Sequence, residues 1–188
     1  MKVIAVIGSP RKNGNTEFLA SQSLEALAEE GIETEVVRLS GLDIRPCTAC
    51  NLCKEGEQCS IKDDMFSVYE KMKAADGIII GSPVYFGSCS ALIRALLERA
   101  GYVSRHNGET LKGKVGGPVV VARRAGQNFA FAELELWFYI VGMIVPGSSY
   151  WNIGFGRDKG EVSKDEEAIT TARNFGKNMA FVMKKLKA

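Results

Sequence analysis

A three-layer α/β/α sandwich on a five-stranded parallel sheet is the fold class this sequence predicts. Three observations carry it. Short β-branched runs, VIAVI near the N-terminus and GIII at 77–80, are apolar throughout, as strands covered on both faces are. They alternate with longer segments of helical period, the pattern of βαβ units. Right-handed crossovers place the strand-to-helix loops on one edge of such a sheet. Three of those loops, GSPRKNGNT, GSPVYFGS and ARRAGQN, are rich in glycine and polar residues.

Length and composition set the outer limits. With 188 residues, 46% hydrophobic and 24% charged, the chain has material for one ordinary core, so residues 1–188 read as a single domain. A net charge of +2 with dispersed Lys and Arg argues against a nucleic-acid partner. MKVIAVIG runs straight into turn residues, which fits neither a secretory leader nor a membrane span. The expectation is a soluble, cytoplasmic protein with no membrane partner. Four of the five cysteines fall between Cys47 and Cys59, a pattern of a metal-type site in a reducing compartment and not of a disulfide framework. His106 is the only histidine, so histidine-based acid–base chemistry is not expected.

In chain order, Lys2 to Ile7 reads as the first, central strand, bounded by Gly8. A helix follows through Phe18, Leu24, Leu27 and Ala28, and Gly31 closes it as a left-handed cap. Glu33 to Leu39 is the second strand. Asp63 and Asp64 suit the start of the next helix, whose inner face carries Phe66, Tyr69 and Met72. Gly77 to Ile80 gives the third strand. Ser88 or Ser90 starts a helix through Leu92, Leu96 and Leu97 that Gly101 is expected to stop. Val115 to Ala122 is the fourth strand, with Pro118 expected at its start because proline lacks a ladder N–H. A helix through Phe131, Leu134 and Phe138 follows. Met143 to Val145 is a weak fifth strand, and Ser148 to Gly160 an irregular excursion whose Tyr150 and Trp151 suit a subunit contact. Ser163 and Glu166 form a capping box for a last helix with the stripe Ile169, Ala172, Phe175, Met179, Val182 and Leu186.

Five strands in this arrangement suit a flavodoxin-like order of 2-1-3-4-5, which brings the loops after strands 1, 3 and 4 to one crevice at the switch point. GSPRKNGNT lies between a strand and a helix N-terminus, an anion-binding arrangement in which Ser9, Thr16, loop N–H groups and Arg11 suit a terminal phosphate. It is neither a nucleoside-triphosphate loop nor G-x-G-x-x-G, and a plain capped βα turn is the competing reading. Tyr85 and Phe86 in GSPVYFGS offer flat apolar surfaces for a planar ring. Arg123 and Arg124 either face that crevice or stand in solvent. Cys89 at a helix start reads as small packing, not as a nucleophile. Cys47, Cys50, Cys53 and Cys59, spaced C-x2-C-x2-C-x5-C, suit an iron-sulfur cluster or zinc. Arg45, Lys54 and Lys62 beside them either offset a cluster's charge or are simply exposed. The cysteine loop follows strand 2, beyond strand 1 from the crevice, so the two sites of one chain are expected to lie apart.

GSPRKNGNT, the cysteine array, the following IKDDM and the segment ADGIIIGSPVYFG with its helix resemble the NADPH-dependent FMN reductase and flavodoxin-like superfamily, and more narrowly the iron-sulfur flavoproteins of anaerobic archaea and bacteria. The resemblance is strong over roughly the first hundred residues and rests on layout beyond them. It implies that Ser9, Arg11, Asn13, Asn15 and Thr16 hold the phosphate of FMN. It also implies that Pro83, Val84, Tyr85, Phe86 and Gly87 line the ribityl chain and ring, with Arg123, Gly126 and Gln127 approaching the ring. Cys47, Cys50, Cys53 and Cys59 would bind a 4Fe-4S cluster. The implied activity is an electron relay between FMN and cluster in a homo-oligomeric dimer or tetramer, with ferredoxin or a similar carrier as donor and a quinone, oxygen or peroxide as acceptor. No side chain stands out as an acid–base catalyst. Two other readings remain open: an NAD(P)H-dependent flavin or quinone reductase without a cluster, and a non-enzymatic redox carrier or sensor.

Overall fold

The computed structural model describes residues 1–187. Its five strands, β1 (Lys2–Ile7), β2 (Glu33–Arg38), β3 (Gly77–Pro83), β4 (Val115–Ala122) and β5 (Ile153–Phe155), form one parallel sheet in the order β2-β1-β3-β4-β5. The expected fold class and strand order are both observed. The helices are α1 (Asn15–Glu29), α2 (Met65–Ala74), α3 (Ala91–His106), α4 (Gln127–Ile140) and α5 (Glu166–Lys187). One apolar cluster joins α2, α3 and α4 to one face of the sheet through Ile4, Ile78, Ile80, Leu96, Leu134 and Phe138. A second joins α1 and α5 to the other face through Val3, Ile7, Leu19, Leu27, Val119 and Phe175. Both faces of β1, β3 and β4 are therefore covered, which explains their uninterrupted apolar sequences. Among the described residues no helix is long and apolar enough to cross a membrane.

Several element boundaries differ from expectation. The fifth strand is Ile153–Phe155, inside the expected excursion, and the 143–145 segment contributes only a single bridge from Ile144 to Val115. Pro118 lies within β4 and not at its start. Gly116 and Val120 direct their N–H groups outward, to the carbonyls of Ile144 and Asn152. Pro118 falls between them on that same side, where residues 145–151 have left the sheet, so its missing donor breaks no ladder bond.

Gly101 does not stop α3, which continues to His106. A Cβ at Gly101 would lie 3.1 Å from Nε1 of Trp137, which donates to the Leu97 carbonyl at 2.9 Å. The glycine serves close approach of α3 and α4, not termination. The cap of α5 is Asp165, whose Oδ1 accepts the Ala168 N–H at 3.1 Å, and Ser163 instead bonds the Gly160 carbonyl from a short 3-10 turn. On α5, Met183 is buried and Leu186 is exposed, so the stripe drifts by one position at its end.

Candidate functional site

The loops after β1, β3 and β4 meet as their sequences required. The Gly8 N–H donates to the Gly81 carbonyl at 2.8 Å, tying the first two loops at their origin. Oγ of Ser9 accepts the Arg11 N–H at 3.2 Å and folds the loop back. The helix behind it, α1, has Gly14 as its N-cap and no side-chain cap, so its first-turn N–H groups and the positive end of its dipole are left for an anion. One cleft of about 490 Å³ is lined by Ser9, Arg11, Asn15, Thr16, Pro83, Val84, Tyr85 and Arg123. That volume lies within the range of about 300–1,000 Å³ usual for small-molecule sites.

Not every expected residue reaches this cleft. The Asn13 side chain is exposed while its N–H donates to Glu17 at 3.2 Å. Phe86 is fully exposed, with a left-handed φ of 51°. Gly87 and Gly126, at φ 80° and 86°, form the contact between the second and third loops. Gln127 lines a separate cavity with Asn128, Tyr150 and Trp151, where its Oε1 is buried without a partner among the described residues.

The same cleft contains Val121, Gly156, Arg157 and Asp158, which the sequence reading did not assign. The 156–160 turn is held by α1. Asn15 donates from Nδ2 to the Asp158 carbonyl at 2.8 Å and accepts the Gly160 N–H at 2.7 Å. Arg11 donates to the Arg157 carbonyl at 3.1 Å. Asn15 is thus committed to the scaffold, and Arg157 joins Arg11 and Arg123 as a third cation at the cleft. GRDKG was readable as a turn, but its destination depends on the position of β5. Glu17, also unassigned, takes a two-pronged contact from Arg38 at 2.9 and 2.6 Å. Arg38, helped by the Asn13 N–H, outweighs burial and holds the Glu17 carboxyl below its ordinary pKa.

The cysteine loop leaves β2 and settles against α3. All four thiols, Cys47, Cys50, Cys53 and Cys59, line one cavity whose wall includes Arg99, Tyr102 and Val103. Ala49 and Asn51 at φ 55° and 63°, followed by a 3-10 turn at Leu52–Lys54, bend the backbone around it. Among the described residues no three Cys, His, Asp or Glu side chains stand in an arrangement that holds a single metal ion. The thiols differ: a Ser60 hydroxyl 3.0 Å away, together with the Leu52 N–H, lowers the Cys50 pKa. Burial, and then the charges of the other three, raise that of Cys53.

Residues far away in sequence hold the loop. Arg99 of α3 bonds the Arg45 carbonyl at 3.1 Å, the Asp63 carboxylate at 2.6 Å, the Ile61 carbonyl at 3.3 Å and Sγ of Cys59 at 3.3 Å. Burial opposes the Asp63 charge, but Arg99 and the N–H groups of Arg45 and Met65 outweigh it and lower its pKa. Asn107 bonds the Cys53 carbonyl at 3.0 Å. Tyr69 donates to Glu57 at 2.8 Å, its hydroxyl pushed up to about 12 chiefly by burial. Arg45 and Lys62 bond the carbonyls of Lys62 and Cys59, respectively. Cys89 is 3% exposed, and burial beside Glu133 pushes its thiol up to about 12, so it packs and does not react.

A helix N-terminus open to an anion, three arginines and Tyr85 at the switch point of a 2-1-3-4-5 sheet suit a flavodoxin-like flavin-dependent oxidoreductase. The family model for NADPH-dependent FMN reductases matches residues 1–158. An iron-sulfur flavoprotein of Methanocaldococcus jannaschii is 44% identical over 194 aligned positions, covering 100% of each chain. The fold is shared with RosB bound to 8-demethyl-8-formylriboflavin-5'-phosphate, at TM-score 0.79 and 21% identity over 100% of this chain and 80% of that one. It is also shared with a flavodoxin from the domain Archaea, at TM-score 0.64 and 15% identity over 98% and 99% of the two chains. The chain belongs to the NADPH-dependent FMN reductase family.

Proposed function

We propose that the chain relays electrons between FMN in the cleft of the three loops and a 4Fe-4S cluster on Cys47, Cys50, Cys53 and Cys59. The observation that carries the reading is the common cavity of the four thiols. In a cubane each thiolate binds a different iron, so the sulfurs stand further apart than around one zinc ion. Four thiols lining one cavity supply the ligand set that such a cluster requires. Bound there, FMN supplies one- or two-electron chemistry and the cluster one-electron transfer.

The chain's own residues bind, orient and shield. Ser9, Thr16 and the first-turn N–H groups of α1 receive the phosphate, with Arg11, Arg123 and Arg157 balancing its charge. Pro83, Val84 and Tyr85 flank the ring and exclude water, while Gly87, Gly126 and the backbone of Phe86 set the shape of that wall. Gln127 and Asn13 act through the loops they belong to. Electrons come from ferredoxin or a similar carrier, and a quinone, oxygen or peroxide receives them.

Separation within one chain supports a homo-oligomer, dimer or tetramer. Arg99, in the wall of the cysteine cavity, lies nine residues along α3 from Ser90, whose N–H donates to Ser82 just before the cleft residue Pro83, roughly 14 Å of helix. Between the two centres, Phe129, Leu136, Tyr139 and Ile140 of α4 and Tyr102 of α3 expose large apolar surfaces, the mark of a subunit contact.

Anaerobic purification followed by iron, acid-labile sulfide, zinc and flavin quantification on one sample tests the reading. About four irons and four sulfides with one FMN per chain are expected; flavin with zinc, or with no metal, sinks it. The match to the NADPH-dependent FMN reductase model favours a second reading, direct reduction of the flavin by NAD(P)H without a cluster. Anaerobic bleaching of the flavin by NADPH in iron-free protein would select it.

A further inference from the structure

Arg99 has the largest of the fully buried side chains, 2% exposed, and it lines the cavity of the four cysteines. Its only carboxylate partner among the described residues, Asp63, is equally buried at 2.6 Å. Three of its contacts join the two ends of the cysteine loop, at Arg45, Ile61 and Asp63; the fourth is to Cys59 Sγ at 3.3 Å. Nε is buried and has no acceptor among the described residues. A buried N–H without a partner is costly, so its retention beside a thiol cavity marks a place for a further acceptor.

We propose that Arg99 is the positioning residue that sets the reduction potential of the centre held by the four cysteines. This inference rests on the cluster reading above. The guanidinium donates to the Cys59 thiolate, and its Nε–H is the donor kept for a cluster sulfur. Reduction adds one negative charge to the cluster, and a fixed, desolvated cation stabilises the reduced form more than the oxidised one. Arg99 therefore makes the cluster easier to reduce. The exposed Arg45 side chain, in solvent and beside Asp43 and Asp63, has no such leverage.

The test is an anaerobic dithionite titration of the FMN-loaded protein, followed by electron paramagnetic resonance of the reduced cluster. Removing Arg99 alone strands the Asp63 carboxylate, so the variant is Arg99→Gln in an Asp63→Asn background, with Arg99→Lys and Arg45→Gln measured beside it. Against Asp63→Asn alone, the double variant's reduction equilibrium constant is expected to fall at least tenfold, about 59 mV for one electron. Arg99→Lys, which keeps the charge without the Nε–H, should recover only part of that fall, and Arg45→Gln should not shift. An unshifted double variant with wild-type iron content overturns the assignment, as does an equal shift in Arg45→Gln. If the double variant loses its iron, Arg99→Lys decides: a cluster with a lowered potential supports the proposal, and an unshifted potential or loss of iron there too overturns it. A wild-type protein without iron overturns the cluster reading itself and this inference with it, an outcome separate from the others.

Discussion

Gly126 and Gly87 touch through their backbones: a Cβ on Gly126 would lie 3.0 Å from the Gly87 Cα and 3.2 Å from Val84 Cγ1. Both have left-handed φ angles, and they join the loop after β3 to the loop after β4. Gly126→Ala should therefore both strain its own turn and push the Val84–Tyr85 wall into the cleft. We expect a stability loss of roughly 1 kcal/mol and FMN affinity lowered about tenfold. Denaturant melts and fluorescence titration of the apoprotein with FMN check both; unchanged flavin affinity would show that this contact does not shape the site.

Asn15 gives both ends of its amide to the 156–160 turn. Asn15→Asp replaces the Nδ2 donor with an oxygen facing the Asp158 carbonyl, so the turn that carries Arg157 should detach. Loss of one such hydrogen bond costs about 1–3 kcal/mol where it is buried. Weaker FMN binding is expected, with Arg157→Gln adding little further loss in the Asp background. Full additivity of the two changes in FMN titrations would refute this coupling.

Glu17 supplies a pH dependence. Its folded pKa lies below the ordinary carboxylate value because Arg38 and the Asn13 N–H favour the charged form. The contribution is therefore present above the unfolded pKa, about 4.3, and is lost as pH falls through the lower folded value. Arg38 is half in solvent, so the pair contributes about 1 kcal/mol and no more. Glu17→Gln should lower stability at neutral pH and flatten the acid limb of urea midpoints measured between pH 3 and 7. A mutant curve that merely runs parallel to wild type would rule out this carboxylate as its source.

The alternation of apolar runs and helical periods made the sheet order legible, because β1, β3 and β4 are covered on both faces and their central residues are apolar. The fifth strand was not, since Ile153–Phe155 is too short to show a period. Gly101 was misread for a related reason: a glycine that admits Trp137 looks the same in sequence as one that ends a helix. At the candidate site, the residues that touch the cleft were legible where loop chemistry is local, as at Ser9, Thr16 and Tyr85. Asn15 with Asp158, which holds the cleft, and Arg99 with Asp63, which holds the cysteine loop, depend on contacts made at long range, and an arginine inside an amphipathic helix carries no sequence signal for burial.

The five cysteines should sort themselves by alkylation. Cys47 and Cys50 are exposed, and the Ser60 hydroxyl and Leu52 N–H lower the Cys50 pKa, which raises its thiolate fraction at pH 8. Cys53 is half-buried, with its pKa raised by burial. Cys89 lies in the core with its thiol pushed up to about 12, so at pH 8 about one molecule in ten thousand carries the thiolate. Iodoacetamide on native, iron-free protein should label Cys50 fastest, Cys53 more slowly and Cys89 only after unfolding. Loading with iron and sulfide should protect Cys47, Cys50, Cys53 and Cys59 together while leaving Cys89 as it was, because ligation consumes all four thiolates at once. Mass spectrometry of the labelled peptides reads each site separately; protection of only two of the four would mean that they do not share one cluster.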